Sequence, residues 1–120
     1  MKLLTKELCD QIPMVGAQDG KGEDAVVWCK FFTVWTQWTW FVLDAYVALE
    51  DGSEAPLAGW DGKTGEVVFF GYVKGQDEEY GYFALSELEG IRGPGGLTIE
   101  RDLYWNQKTT MREVLAGTAR

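Results

Sequence analysis

A chain of 120 residues that is 46% hydrophobic, with six tryptophans, six phenylalanines and five tyrosines, has the length and apolar content of a single packed domain spanning residues 1–120. It contains no histidine, which excludes Ser–His and Cys–His dyads and every histidine-containing metal site. Its formal charge of −8 opposes binding to nucleic acid or anionic membranes, and no apolar run approaches the ~20 residues of a membrane helix.

The opening predicts a short helix, with Thr5 as N-cap, Glu7 in the first turn, Leu8 and Ile12 inward, and Pro13 closing it. Its charge is too high for a signal peptide, so a cytoplasmic address is expected. Residues 16–24 read as a polar, glycine-punctuated loop. Residues 25–33 predict a strand with Val26, Trp28 and Phe32 on one face and Val27, Cys29 and Phe31 on the other. Apolar side chains on both faces imply a central or doubly covered strand. Residues 34–37 form the hairpin connection and leave Trp35 in a turn, where an exposed tryptophan is a candidate contact residue. Residues 38–49 continue the strand signal, with Trp38, Trp40 and Val42 on one face and Thr39, Phe41 and Leu43 on the other.

Residues 50–56 read as a loop with an Asp-Gly turn, and residues 60–65 as a second turn cluster around Trp60. Residues 66–73 predict a third strand. The acidic turn Asp77-Glu78-Glu79 leads into a fourth at residues 80–85. Ser86 followed by Glu89 is a capping-box pattern, so a short helix starts there, broken by the glycines at 93, 95 and 96. Residues 97–105 predict a fifth strand, at least up to Arg101. Thr110 with Glu113 caps a short C-terminal helix stopped by Gly117. The fold class is α+β: a mostly antiparallel sheet of about five strands with short N-terminal, middle and C-terminal helices.

The chemistry offered by this pattern is sparse. Cys9 and Cys29 are too few for a four-ligand zinc site and lack C-x-x-C spacing; Cys29 reads as a buried inert thiol, Cys9 as partly exposed on its helix. Asp44, Glu66, Glu100 and Asp102 offer oxygen ligands of the kind Mg²⁺ takes, without a D-x-D or E-x-K spacing. Glu66 and Asp44 read more simply as strand-end solubilisers. The segment Arg92-Gly93-Pro94-Gly95-Gly96 lacks the frame of a phosphate loop and reads as a turn. In a nucleotide binder, Arg92 and Arg101 would hold phosphate while a tryptophan stacks on the base. No catalytic residue, metal ligand or cofactor is assigned.

Charge is unevenly spread. Between Asp44 and Glu89 there are eleven acids against Lys63 and Lys74, so this stretch carries −9 and the flanks nearly cancel. Such a field keeps a protein soluble, and it also attracts a basic surface that ordinarily holds nucleic acid. Glu50, Asp51 and Glu54, with Asp77, Glu78 and Glu79, are the candidate charged contacts, and Trp35 and Trp60 the apolar anchors.

Met1-Lys2-Leu3-Leu4-Thr5, Lys30-Phe31-Phe32, Trp38-Thr39-Trp40, Phe69-Phe70-Gly71 and Gly81-Tyr82-Phe83 together resemble a bacterial family known as domain of unknown function 2958. Leu85-Ser86-Glu87-Leu88-Glu89, Arg92-Gly93 and Ile99-Glu100-Arg101-Asp102-Leu103-Tyr104 resemble its C-terminal half. Residues 46–66 look longer than the corresponding link in that family. The resemblance implies cargo of plasmids, phages and other mobile elements, and brings no catalytic residues with it.

The leading expectation is a non-enzymatic interaction module of a mobile element, acting as an acidic inhibitor of a host defence protein with a basic surface. The alternatives are a small-ligand or nucleotide-sequestering protein built on Arg92 and Arg101, and a metal-dependent hydrolase. An exposed aromatic strand would also allow a homodimer.

Overall fold

The computed structural model describes residues 2–118; Met1, which opens the first of the resembling pieces, lies outside them. Thr5 caps α1 (Lys6–Gln11), its hydroxyl accepting the Leu8 N–H at 3.1 Å, as its position before Lys6-Glu7 predicts. Leu8, Cys9 and Ile12 all turn into the core. Cys9 is therefore not partly exposed: it follows Leu8 onto the inward face, and burial raises its thiol pKa, as it does for Cys29.

The described residues form six strands: β1 (Cys29–Phe32), β2 (Thr39–Ala48), β3 (Glu54–Ala55), β4 (Glu66–Lys74), β5 (Glu78–Ala84) and β6 (Glu100–Arg101). All pair antiparallel in one sheet of order β5-β4-β2-β1-β6, with β3 also against β2. Two further helices, α2 (Leu85–Gly90) and α3 (Met111–Leu115), complete an α+β fold of the expected class.

The departures from expectation have local causes. The extra strand, β3, lies in the supposed loop at 50–56, where Ala55 and Glu54 pair with Val47 and Ala48. β1 is shorter than 25–33 because Val26 and Val27 bond to the Thr109–Thr110 region instead of continuing a ladder (Val27 N–H to Thr109 O, 2.8 Å). β6 stops after Arg101 because the Asp102 carboxylate accepts the Tyr104 N–H at 2.9 Å and turns the chain. α2 begins one residue ahead of Ser86. Leu85 and Leu88 set its phase by burying together, and Glu87, not Glu89, reaches back to the Ala84 N–H at 3.0 Å. Ser86, freed from capping, donates its hydroxyl to Glu66.

β2 contains a bulge. Val42 pairs with Gly71 and Asp44 with Phe70, so Leu43 is an extra residue in the ladder. The bulge changes the parity of the strand. Trp40 and Val42 point into one core; beyond Leu43 it is Ala45 and Val47 that do. That first core also takes Leu3, Leu4, Leu8, Ile12, Phe31, Leu57, Phe69, Phe83 and the two inward leucines of α2. On the other face a smaller core joins Val27, Phe41, Leu43 and Tyr72 to Met111 and Val114 of α3. This second cover reaches only part of the face. The remainder, toward β5, carries the exposed rings of Tyr80 and Tyr82.

Candidate functional site

β5 is the terminal strand of the sheet, and its outward-facing residues on the partly covered face are Tyr80 and Tyr82. They are 46% and 65% exposed. Their register partners on β4 are Tyr72 and Phe70. Four rings make a continuous aromatic strip: Phe70–Tyr82 at 5.0 Å, Tyr72–Tyr80 at 5.1 Å and Phe70–Tyr80 at 6.2 Å between centroids. Acids surround it. Glu78 begins the same strand and pairs with Lys74 at 3.6 Å; after burial, the Glu23 carboxylate is the cause that raises the Tyr80 phenol pKa.

Beside Phe70 and Tyr82 a cleft of about 270 Å³ opens, lined also by Val15, Gly16, Asp19 and Asp44. Asp44 is not a strand-end solubiliser. It stands in the middle of β2, 2% exposed, because the bulge at Leu43 turns its side chain to this face under the 13–19 loop. That loop is bonded to β2 from Val15 N–H to Ala45 O (2.9 Å) and from Ala45 N–H to Pro13 O (3.0 Å). The Gly16 N–H lies close enough to favour the ionised Asp44 carboxylate, while Oδ1 is buried with no hydrogen-bond partner among the described residues. Burial lifts the Asp44 carboxyl to about 6; the Gly16 N–H opposes this shift and the Asp19 charge adds to it.

The sequence-derived candidates fall in several places. Asp77, Glu78 and Glu79 are exposed at the start of β5; Glu78 and Glu79 lie within the strand, not in a turn, and Glu78 shares the tyrosine face whereas Glu79, paired with Val73, points to the other. Glu50, Asp51 and Glu54 are also exposed, yet they follow the far end of β2. Thr39 pairs with Lys74 and Ala48 with Glu66, so the two acidic trios occupy opposite ends of the sheet.

Neither tryptophan is the exposed turn residue its context predicts. Trp35 is half-buried and its ring lies over Gly93, where a Cβ would approach the ring to 2.4 Å. Trp60 packs on the first core and donates its Nε1–H to Thr64 O at 2.8 Å. The turn beneath it is tied by Asp61, whose carboxylate takes the Thr64 hydroxyl and the Thr64 and Lys63 N–H groups; these bonds hold that carboxyl down at about 2.

Arg92 and Arg101 do not converge. Arg92 donates to the carbonyls of Glu89 and Ile91 at the end of α2, whereas Arg101 donates to those of Lys2 and Leu3. Arg101 does line a polar cleft of about 160 Å³ with Trp28 and Trp105, and the Trp28 Nε1–H is buried without a partner among the described residues. Asp44, Glu66, Glu100 and Asp102 stand on different elements, and among the described residues no group of three or more Cys, Asp or Glu side chains is gathered as a metal site. Also among them, no helix is long and apolar enough to cross a membrane.

The features that sequence reasoning missed are Tyr80, Tyr82 and the burial of Asp44. Their signals were present: tyrosines two apart on a strand beside glycine and acids, and one carboxylate inside an apolar run.

Residues 57–120, just over half of the chain, match the family described as "Protein of unknown function (DUF2958)". The chain belongs to this family. The matched stretch runs from Leu57 through β4, β5, α2, β6 and α3, and so includes the tyrosine strip; the resembling pieces before residue 57 lie outside it. No curated protein matches the chain. No solved structure matches it.

Proposed function

We propose that the chain is a non-enzymatic protein-interaction module that binds a basic partner through the outer face of β5. One observation carries this reading: two tyrosines stand side by side and exposed on the terminal strand, inside an acidic surround. Tyrosine supplies large, rigid contact area and is enriched among interface hot spots. The surrounding charge steers a basic surface toward it and rejects acidic ones. Of the two acidic trios, Asp77, Glu78 and Glu79 lie at the tyrosine end of the sheet: Glu78 shares the face of Tyr80 and Tyr82, Glu79, paired with Val73, alternates to the other face, and together they charge this edge for the partner. In the mobile-element setting implied by the resemblance, the partner is a host defence protein whose nucleic-acid surface the module occupies.

Affinity capture from nuclease-treated host lysate, at low and raised salt, tests this reading. The expected result is a stoichiometric partner that is released by salt, displaced by nucleic acid, and lost when Tyr80 and Tyr82 are both replaced by alanine. A partner indifferent to the tyrosine substitutions, or a homodimer that covers β5, overturns it.

A second reading rests on the Trp28–Arg101 cleft, whose unpartnered indole N–H calls for an acceptor. At about 160 Å³ it is smaller than ordinary ligand pockets and suits a small anion or polar molecule rather than a whole nucleotide. A rise in melting temperature with such a ligand, abolished by Trp28→Phe, is the result that favours it.

A further inference from the structure

The Asp44 cleft combines three properties that bear on what it could hold. Its floor is a carboxylate that is 98% buried by residue surface, with one oxygen lacking any partner among the described residues. An ionised carboxylate only accepts hydrogen bonds, and leaving it unmatched in the interior is costly. Its rim adds a second acid, Asp19, while none of the six lining residues is basic. Its wall is aromatic, made by Phe70 and Tyr82 with their rings tilted at 56°. The buried, unpartnered oxygen separates this place from an ordinary acidic surface, because it asks for a donor that no described residue provides.

The ligand class follows from matching each property. A divalent cation prefers six or more oxygen ligands, and two carboxylates beside two rings are a poor set for it. An ammonium is compact and strongly hydrated, so it gives up more on entering an aromatic-walled cleft. A guanidinium is planar, weakly hydrated and rich in N–H donors. It stacks on aromatic faces while donating to a carboxylate. We propose that the cleft receives the guanidinium group of an arginine side chain presented by the basic partner. This rests on the interface reading above and makes it specific: Tyr82 serves both as interface contact and as cleft wall, and Asp44 is the buried acceptor beneath.

The test uses the full chain and small probes, so it does not depend on finding the partner. Methylguanidinium chloride and a blocked Gly-Arg-Gly peptide are titrated against the protein and followed by NMR at the Gly16 amide and the Phe70 and Tyr82 rings. The expected result is saturable shifts at all three, with the arginine peptide binding at least about tenfold tighter than its neutral citrulline counterpart and also tighter than the lysine peptide. Asp44→Asn, an isosteric change that removes buried charge, should abolish that preference while the spectrum stays folded; Tyr82→Leu should weaken both probes. Equal binding of arginine and citrulline peptides, a lysine peptide that binds as well or better, shifts with Mg²⁺ or Ca²⁺ alone, or an Asp44→Asn protein that binds unchanged each overturns the proposal. The two readings fail separately. Guanidinium binding without any capturable partner leaves the cleft standing and the interface not. A partner lost with the tyrosines but indifferent to Asp44→Asn does the reverse.

Discussion

The side-chain amide of Gln18 donates to the Leu43 carbonyl at 2.7 Å, at the residue where β2 bulges. The same nitrogen donates to Val26 O at 2.9 Å, and Gln18 Oε1 accepts the Val26 N–H at 2.6 Å. One buried side chain thus satisfies backbone groups that the bulge and the short β1 leave without ladder partners. Gln18→Ala strands these groups and should destabilise the protein by about 2–4 kcal/mol in denaturant unfolding. Gln18→Glu, which cannot donate to two carbonyls, should not rescue it. Because Gln18 holds the loop bearing Gly16 and Asp19, both variants should also speed amide exchange at Gly16.

Two glycines of the resembling pieces have steric reasons. A Cβ on Gly71 would lie 1.8 Å from the Phe41 carbonyl oxygen, because Gly71 faces Val42 just before the bulge. Gly71→Ala must push backbone apart in the middle of the sheet and should cost roughly 3 kcal/mol or more. Gly93→Ala meets the Trp35 ring first, a side chain rather than backbone. It should cost less and be reported by a red shift in tryptophan fluorescence that is absent in the Trp35→Phe background.

The outer face of β5 separates binding from folding. Tyr82 is exposed apart from its cross-strand contact with Phe70, so Tyr82→Ala should lower unfolding free energy by only about 0.5–1.5 kcal/mol. Its effect on partner affinity should be at least about tenfold, as at an interface hot spot. Reversing Asp77 and Glu79 to lysine should slow association and flatten its salt dependence. The same reversal at Glu50, Asp51 and Glu54, at the other end of the sheet, should act more weakly and only through the long-range field. Surface-plasmon kinetics at two salt concentrations distinguish these outcomes, and an unaltered association rate for the first pair removes them from the interface.

What could be read from the sequence followed from short-range rules. Thr5 before Lys6-Glu7 and Thr110 before Met111 give both terminal helices, since a cap and its first turn are local. The alternation in 38–43 places Trp40 and Phe41 on opposite faces correctly. The bulge at Leu43 is held by long-range partners, Gly71 in the register and Gln18 by hydrogen bond, and no local rule shows that it carries Asp44 into the interior instead of leaving it a strand-end solubiliser. Trp35 and Trp60 lie deeper than their local sequence implies for a related reason. A turn-like context predicts exposure, but here Gly93 and the Asp61 turn, distant or backbone-made partners, fold the rings down.

Asp44 gives the protein a pH dependence of defined sign. Its carboxyl titrates near 6 in the folded chain against an ordinary 3.8, chiefly because it is buried. Between those values the folded state binds the proton that the unfolded state has released, so this group's contribution to stability falls as pH rises from about 4 to about 6 and is level above. A shift of about two units corresponds to about 2–3 kcal/mol. The other carboxylates titrate in the same region, so the informative quantity is the difference between the native chain and Asp44→Asn. Asp44→Asn should be the more stable protein at about pH 7, by an amount that shrinks toward zero near about pH 4. Chemical denaturation of both proteins across that range measures it. Parallel curves, with no change in the gap, would mean that Asp44 is ionised and satisfied in the folded state. A guanidinium probe that binds the cleft should narrow the gap at pH 7, since it stabilises only the chain that keeps the carboxylate.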